Sequence, residues 1–321
     1  MNNNWGEREN MGMELINHNA GKGDCIQIRY TGESRTCHNI IVDTGVLQFG
    51  PQLNLIWNSI MDAGEMLDVI ILTHVDDDHI GGLLYNLRIG NIPPVKEIWM
   101  NHGNLMRESV ELSVKQNDEL YTHLVKAGIL VKPVIAGMEK VLDGAEFKIV
   151  WPNENILNDF FSDYIGPIPL GHASDYGYSF EELRDMPISS KDPRKSNRAS
   201  VIFELNYGEK RLLFTGDAWA HDIMENVKNR KYDFIKLPHH GSILNLSEGW
   251  GDVFECSKYI ICTDGISHPN KQTIAKLYKW YEEVEIYGSA PWWNRMVIEA
   301  DLKIMDKIHF IGDKHIWIVK N

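Results

Sequence analysis

The stretch from Thr73 to Gly82 carries four side chains able to bind a divalent metal within six positions. These side chains are His74, Asp76, Asp78 and His79. They follow the largely apolar run Leu67 to Leu72, which predicts a buried strand. Carboxylates and imidazoles this close repel one another and compete for water unless a cation neutralises them. We therefore predict a metal site at a strand end rather than a solvated acidic loop, also because Gly81 and Gly82 allow close packing behind the ligands.

Two later segments repeat this arrangement of a strand followed by potential ligands. Leu212 to Asp217 brings a carboxylate after a strand and a tight turn, where it is able to bridge two cations. Ile235 to Ser242 brings His239 and His240 in the same way. Each is weak alone, since Gly-Asp turns are common and a His-His pair is often a hydrogen-bonded core feature. Because the ends of neighbouring strands meet at one edge of a sheet, the recurrence predicts that the segments converge.

The elements that would position these residues alternate between strands and helices. The first part predicts a meander of three strands: Met13 to Asn17, Cys25 to Tyr30 and Asn39 to Asp43. Helices are then predicted at Pro51 to Met61, from Ile80 to Leu87 and at Met106 to Ala127. Later predictions are a hairpin of Ala199 to Leu205 with Lys210 to Phe214, a helix at Ala218 to Asn229, and closing strands at Met296 to Ile298, Lys307 to Ile311 and His315 to Val319.

The periodicity lapses between Pro152 and Asn197, where Pro, Gly, Ser, Asp and Tyr dominate. Such a long irregular stretch indicates a functional lid or an insertion, and a plain connecting loop is an equal alternative. The length of 321 residues suffices for a full hydrophobic core. We interpret residues 1–321 as a single domain with an irregular insertion at about 152–196.

The composition favours a soluble protein, with a hydrophobic fraction of 43%. No window of about 18 apolar residues is present, and the N-terminal residues lack a basic region followed by an apolar one. We therefore expect no membrane contact and no secretory signal. The four cysteines show no CxxC spacing, which favours reduced thiols and a cytoplasmic location. They are Cys25, Cys37, Cys256 and Cys262.

The formal net charge of −13 argues against a broad, sequence-independent grip on nucleic acid. It does not exclude a phosphate ester held by metals. One segment is locally basic, and either a solvated loop or a phosphate-binding loop explains it. Its cations are Lys191, Arg194, Lys195 and Arg198. We hypothesise that this segment borders the metal cleft and steers a phosphate backbone toward it.

With His-x-Asp-x-Asp-His, then Gly-Asp, then Pro-His-His-Gly-Ser, the chain resembles the metallo-β-lactamase fold superfamily, and more narrowly the hydrolase domain of competence-type (ComEC-like) proteins. Four further segments fit this resemblance: Gly21 to Cys25, Ile40 to Gly45, Asn197 to Ser200, and His268-Pro269. The resemblance covers about Met13 to Tyr287 outside the insertion. It implies an α/β fold in the form of a four-layer αββα sandwich.

Two departures from the superfamily pattern bear on the choice of metal. The commoner first motif is His-x-His-x-Asp-His, whereas Asp76 stands in the place of its second histidine. No histidine stands just before the Asn197 strand, and His172 is only a remote substitute. Each departure costs the site a histidine nitrogen, so a larger share of the remaining ligand atoms are carboxylate oxygens. They favour harder ions, so Mn²⁺ becomes a rival to Zn²⁺.

The resemblance implies two divalent ions held by two sets of residues that share Asp217. The sets are His74, Asp76 and Asp217, and then Asp78, His79, Asp217 and one histidine of the pair His239 and His240. The nucleophile would be a metal-bridging hydroxide rather than a side chain. Asp78 is a candidate to orient it, while Asp24 and Asp43 are expected to brace the ligands. His268 is either a hydrogen-bond donor to the reacting group or a structural histidine.

These observations favour a dinuclear metal-dependent hydrolase of phosphodiesters, either a nuclease or a small-molecule phosphodiesterase. A lactone or thioester hydrolase is the second reading, because the same fold supports it. A non-catalytic interaction subunit is the third, although a pure scaffold has no need of a full ligand set. The sequence selects neither the substrate nor a protein partner, because function depends on the outer pocket.

Overall fold

The protein is described by a computed structural model that covers residues 11–106, 115–162 and 174–320. Within these residues the strands form a seven-stranded and an eight-stranded sheet. The strands of the first sheet are β1 (Met11–Asn17), β2 (Ile26–Thr31), β3 (Cys37–Val42), β4 (Met66–Ile71), β5 (Val95–Trp99), β6 (Leu130–Lys132) and β15 (His315–Lys320). They are arranged in the order β15-β1-β2-β3-β4-β5-β6.

The second sheet is assembled from the middle and the later part of the chain. Its strands are β7 (Glu139–Leu142), β8 (Ala145–Trp151), β9 (Ile202–Tyr207), β10 (Lys210–Phe214), β11 (Phe234–Lys236), β12 (Lys258–Ile261), β13 (Val284–Gly288) and β14 (Ile308–Ile311). They are arranged in the order β14-β13-β12-β11-β10-β9-β8-β7. The strands from β10 to β14 run parallel, as do those from β3 to β6.

Helices connect the strands and cover the outer faces of the sheets. They are α1 (Gly50–Asp62), α2 (Asp77–Arg88), α3 (Gly103–Met106), α4 (Lys115–Lys126), α5 (Glu154–Ser162), α6 (Phe180–Arg184), α7 (Lys195–Arg198), α8 (Ala220–Asn226), α9 (Trp250–Val253) and α10 (Lys271–Tyr281). In the described part of the chain, no helix is both long enough and apolar enough to cross a membrane.

The four layers follow from the alternation of side chains along each strand. In β3, Ile40 points into the core between the two sheets, where it joins residues such as Phe203 and Phe214. Its neighbour Ile41 points outward and packs with residues of α1, α2 and α4. Successive side chains of a strand face opposite sides, so a strand covered on both faces must be apolar throughout. The predicted αββα sandwich is therefore confirmed.

Most of the predicted elements are present, and one predicted strand is wrong. The opening meander is found as the antiparallel strands β1, β2 and β3. Residues Met296 to Ile298 form no strand, because they join two short 3₁₀ helices, Trp292–Arg295 and Glu299–Ile304. Met296 is buried and packs in the core outside the second sheet, so its burial does not require a strand.

The segment predicted as an irregular insertion is more ordered than its composition indicates. Its described part contains α5, α6 and the start of α7. Helix α5 buries Phe160 and Phe161 against Val75, directly beside the first ligand segment. Helix α6 begins with a capping box formed by Ser179 and Glu182, which is a sequence signal for a helix start. Residues 163–173 and 107–114 lie outside the described residues, including part of the long helix predicted from Met106.

Helix α2 holds His79 and packs closely on the preceding loop through its two glycines. A Cβ on Gly82 would lie 2.1 Å from the carbonyl oxygen of Thr44. We predict that Gly82→Ala lowers the free energy of unfolding by roughly 1–3 kcal/mol, because the helix must move away. Urea unfolding measures this change. Gly177→Ala is the control, since a Cβ there meets open space, and equal stability of the two variants would contradict the packing argument.

Candidate metal centre

The ends of three strands bring the candidate ligands to one edge of the molecule. Residues 73–79 follow β4 of the first sheet, Asp217 follows β10, and the pair His239 and His240 follows β11 of the second sheet. Backbone hydrogen bonds tie these ends together: Val201 N donates to Thr73 O at 2.8 Å, and His239 N donates to Gly216 O at 3.1 Å. The site therefore lies where the two sheets meet.

The carboxylate of Asp217 lies among three buried imidazoles. Its Oδ2 is 3.4 Å from Nε2 of His79, 3.6 Å from Nε2 of His240 and 3.7 Å from Nε2 of His74. Two ligands that each lie roughly 2 Å from one ion are separated by such distances. All three Nε2 atoms are buried and lack a hydrogen-bond partner. Buried polar atoms are nearly always partnered, so this donor set fits a divalent cation.

Two further carboxylates lie on opposite sides of Asp217. Oδ2 of Asp76 is 3.9 Å from Nε2 of His74, and Oδ2 of Asp78 is 3.6 Å from Nε2 of His240. The structure thus brings together the residues that the sequence assigns to both metals. One group contains His74 and Asp76, the other contains Asp78, His79 and His240, and Asp217 lies between the two groups.

Two more carboxylates fix the orientation of the imidazoles. Nδ1 of His79 donates to Oδ2 of Asp43 at 2.9 Å, and the backbone and hydroxyl of Thr73 hold this carboxylate at 2.7 and 2.8 Å. Nδ1 of His240 donates to the carbonyl oxygen of Cys262 at 3.0 Å and lies 2.9 Å from Oδ1 of Asp24. A partner on Nδ1 leaves Nε2 to face a metal. Within the described residues, Asp24 also belongs to a group with His79, Asp217 and His240 whose ligand atoms lie within 4.8 Å of one another.

The backbone that carries the two histidines is strained. His239 and His240 have φ of 49° and 53°, and Gly241 follows with 81°. Residues other than glycine pay about 1–3 kcal/mol each for this left-handed conformation. Gly216 has a φ of 49°, and a Cβ there would lie 3.0 Å from the side chain of Ser200. The hydroxyl of that serine accepts a hydrogen bond from the backbone N–H of Asp217 at 3.1 Å.

The two neighbouring histidines have different environments. Nε2 of His239 lies 2.7 Å from Nη2 of Arg194, and a guanidinium only donates. The proton of His239 is therefore on Nδ1, which donates to Oδ1 of Asn245 at 2.7 Å. The amide of Asn245 in turn donates to the backbone oxygen of Asp217 at 2.9 Å. Both nitrogens of His239 are engaged, so the geometry favours His240 as the ligand from this pair.

His268 lies beside the pair, with its ring centroid 5.0 Å from that of His239. Its Nδ1 is buried and has no hydrogen-bond partner in the described structure. Burial lowers the pKa of His268 to about 3, and His239 and His240 act in the same direction. A neutral imidazole donates one hydrogen bond but carries no spare proton at neutral pH. A neutral imidazole at this position fits both predicted roles, the hydrogen-bond donor to the reacting group and the structural histidine.

The charges of the site explain why its carboxylates differ. Burial and the nearby Asp78 carboxylate raise the pKa of Asp76 to about 6. Burial also favours the neutral form of Asp78, but the nearby imidazoles of His240 and His79 hold its pKa below the usual range. A cation beside Asp76 would relieve the repulsion that raises its pKa.

The four cations of the locally basic segment have different surroundings. Arg194 alone among its four cations contacts His239, and its side chain is 22% exposed. Lys195 pairs with Asp159 at 3.2 Å, and Arg198 pairs with Asp222 at 2.9 Å. Lys191 is exposed. Of these four cations, Arg194 is the one whose position supports the hypothesis of a phosphate-steering segment. Lys195 and Arg198 are instead held by acidic partners.

Two buried residues of the site were missed from the sequence. The carboxylate of Asp192 accepts hydrogen bonds from the side-chain amides of Asn197 at 2.5 Å and Asn245 at 3.1 Å. Lys236 ends β11 and is only 3% exposed. Because side chains alternate along a strand, Lys236 and the buried Phe234 point to the same side of β11. This alternation was the sequence signal that could have identified Lys236 as buried.

His172, predicted as a remote substitute ligand, lies outside the described residues.

Comparison with known proteins agrees with this fold and site. Residues 36–184 match the model of the metallo-beta-lactamase superfamily. A curated relative, the cGMP-dependent 3',5'-cGMP phosphodiesterase A of Dictyostelium discoideum, is 23% identical over 247 residues. This match covers 70% of the chain but only 26% of the relative. The matched residues 36–184 include the first ligand segment, His74 to His79.

Solved structures with a similar arrangement are distant in sequence. The metallo-beta-lactamase fold protein YhfI from Bacillus subtilis shares 9% identity with a TM-score of 0.45, over 86% of this chain and 95% of that protein. A diphosphatase from the PhnP family shares 13% identity with a TM-score of 0.38, over 91% of this chain and 82% of that protein.

We predict that Asp217→Ala loses most bound metal, because its carboxylate faces both groups of ligands and its removal leaves two cations to repel each other. Elemental analysis of the purified variant, with circular dichroism to show that the fold persists, measures this effect. Asp77→Ala is the matched control, since Asp77 is exposed on the first turn of the same helix. A folded Asp217→Ala protein with the wild-type metal content would place the bridge elsewhere.

Proposed function

We propose that the protein is a dinuclear metal-dependent hydrolase of phosphodiesters. The observation that carries this proposal is the carboxylate of Asp217 within 3.4 to 3.7 Å of three buried, unpartnered imidazole nitrogens. His74, Asp76 and Asp217 would hold one ion. Asp78, His79, Asp217 and His240 would hold the other. When bound, divalent ions at these positions acidify a water molecule and polarise a phosphoryl oxygen.

The chain itself supplies orientation and charge. Asp43 holds His79, and the carbonyl oxygen of Cys262 holds His240, with Nε2 of each directed toward the ions. Of the six proposed ligand residues, three are aspartates, Asp76, Asp78 and Asp217, which makes the set oxygen-rich for this fold. We therefore include Mn²⁺ beside Zn²⁺ as a candidate, with Mn²⁺ supporting at least as much activity.

A phosphodiester is supported by two observations. Arg194 lies at the rim of the site, and a partly exposed guanidinium there suits an anionic oxygen. The Dictyostelium relative is named as a phosphodiesterase, although the chain spans about a quarter of its length. The closer kinship with ComEC-like hydrolase domains rests on the motifs of the sequence and remains part of this proposal.

Among phosphodiesters, the charges favour a small molecule over a nucleic acid. Arg194 and the exposed Lys22 near Asp78 suffice for one phosphate, whereas a long strand needs a series of cations along its backbone. The net charge of −13 repels a polyanion at long range. Lys195 and Arg198 are held by Asp159 and Asp222 and provide no such series. We therefore propose a small phosphodiester such as a cyclic nucleotide.

The metal requirement is tested with purified protein depleted of metal by a chelator. We expect no turnover of bis-p-nitrophenyl phosphate or cGMP until two equivalents of Mn²⁺ or Zn²⁺ per chain are restored. A single-stranded oligonucleotide and a lactone are assayed in parallel. Faster cleavage of the oligonucleotide would favour a nuclease. Faster hydrolysis of the lactone would favour a lactone or thioester hydrolase. Full activity without metal would contradict the proposal.

The role of Arg194 is tested separately. Arg194→Ala should raise KM for a small phosphodiester about 10-fold or more, since a hydrogen bond to a charged group is worth about 1.5–3 kcal/mol. Steady-state kinetics on the metal-loaded variant measures this, with metal content determined alongside. Lys195→Ala, one residue away, should leave KM within a factor of about two. Equal effects of the two substitutions would show that Arg194 does not contact the substrate.

A further inference from the structure

A buried lysine lies at the centre of the metal site. Nζ of Lys236 forms an ion pair with Oδ2 of Asp24, lies 3.7 Å from Oδ1 of Asp217 and donates to the carbonyl oxygen of Gly216 at 2.9 Å. Lys236 is 3% exposed and Asp24 is 2% exposed. A lysine is almost never fully buried unless it is paired. This ammonium therefore belongs to the site and not to its solvated surroundings.

The pairing with Lys236 decides what Asp24 is able to do. Among the described residues, Asp24 belongs to the same group of potential ligands as His79, Asp217 and His240. One of its oxygens faces the ammonium and the other lies 2.9 Å from Nδ1 of His240. Oδ2 is thus occupied by the ammonium, whereas Oδ1 is buried without a hydrogen-bond partner, because Nδ1 of His240 bonds to the carbonyl oxygen of Cys262 at 3.0 Å. An ammonium that occupies one oxygen of a carboxylate competes with a metal ion for its charge.

The charges of the side chains and of two divalent ions balance when Lys236 is included, before a bridging hydroxide binds. Five carboxylates surround the three imidazoles, namely Asp24, Asp43, Asp76, Asp78 and Asp217. Two divalent ions supply four positive charges, and Lys236 supplies the fifth. Two further cations do not enter this sum. The charge of Arg194 is offset by that of Asp192, and Lys22, near Asp78, is 61% exposed, so its charge is screened by water.

We propose that Lys236 is a built-in counter-cation that holds Asp24 outside the ligand set and so limits the site to two divalent ions. This inference rests on the metal binding in the proposed function. Lys236 acts as a positioning residue, since it touches carboxylates and a carbonyl and no reacting atom. It also weakens metal binding, because a fixed positive charge near Asp217 repels the ions that this carboxylate attracts.

The proposal predicts opposite effects for the two members of the pair. Lys236→Met removes the repelling charge and frees Asp24, so metal should bind at least roughly tenfold more tightly. The visible spectrum of the Co²⁺-loaded protein should also change, as Asp24 becomes a ligand. Asp24→Asn keeps the ammonium without its partner, so metal should bind at least roughly tenfold more weakly. The double variant restores the balance, and its affinity and Co²⁺ spectrum should approach those of the wild type.

The measurements are the number of ions per chain and the affinity in competition with a chromophoric chelator, using Zn²⁺ and Co²⁺. Lys276→Met is the matched control, because Lys276 is also buried and pairs with Glu248 at 2.7 Å, outside the metal site. It should lower stability and leave metal affinity unchanged. If Lys236→Met does not fold, Asp24→Asn and the double variant still test the opposite signs.

The outcomes separate this inference from the proposed function. A wild-type protein that binds no divalent ion overturns both. Two ions in the wild type, with unchanged or weaker binding in Lys236→Met and an unaltered Co²⁺ spectrum, overturn the role of Lys236 and leave the proposed function intact. Weaker binding in the double variant than in Asp24→Asn also contradicts the charge balance.

Discussion

Repulsion among buried carboxylates is the constraint on which the rest of the structure depends. Asp24, Asp43 and Asp217 are all nearly inaccessible to water, and charges in such surroundings interact far more strongly than in solvent. The fold would not hold them together without compensating positive charge. Part of that charge is permanent, as the ammonium of Lys236, and the proposed function assigns the rest to bound ions. On that proposal, metal would stabilise the site as well as supply its chemistry.

A rigid frame is needed to hold groups that repel one another. The two sheets supply it, because the ligands follow strands whose side chains are buried on both faces. Short hydrogen-bonded links then fix individual groups, such as Ser200 on the backbone of Asp217 and Asn245 between His239 and Asp217. The left-handed backbone at His239 and His240 is tolerated for the same reason, since the surrounding structure leaves no alternative conformation.

Much of the fold and the list of candidate ligands followed from local signals in the sequence. Buried strands read as apolar runs, and ligands directly after such runs are easy to recognise, as at His74 and Asp217. Contacts between distant parts of the chain left weaker signals. Nothing local shows that Lys236 meets Asp24, that Asn245 holds His239, or that Arg198 is held by Asp222. The false strand at Met296 arose because the short apolar run Met296 to Ile298 was interpreted as a strand.

The position of the site at the junction of the two sheets has a consequence for how the protein forms. His74 to His79 belong to a sheet built mainly from residues 11–132, whereas Asp217 and His240 belong to one built from residues 139–311. Strand β15 then returns to pair with β1. Neither half of the chain contains a complete set of ligands. On the proposed metal binding, a complete set of ligands exists only once the two sheets have come together, and a bound ion would link them. Contacts across such long separations in sequence form slowly, so metal binding would follow the folding of both sheets.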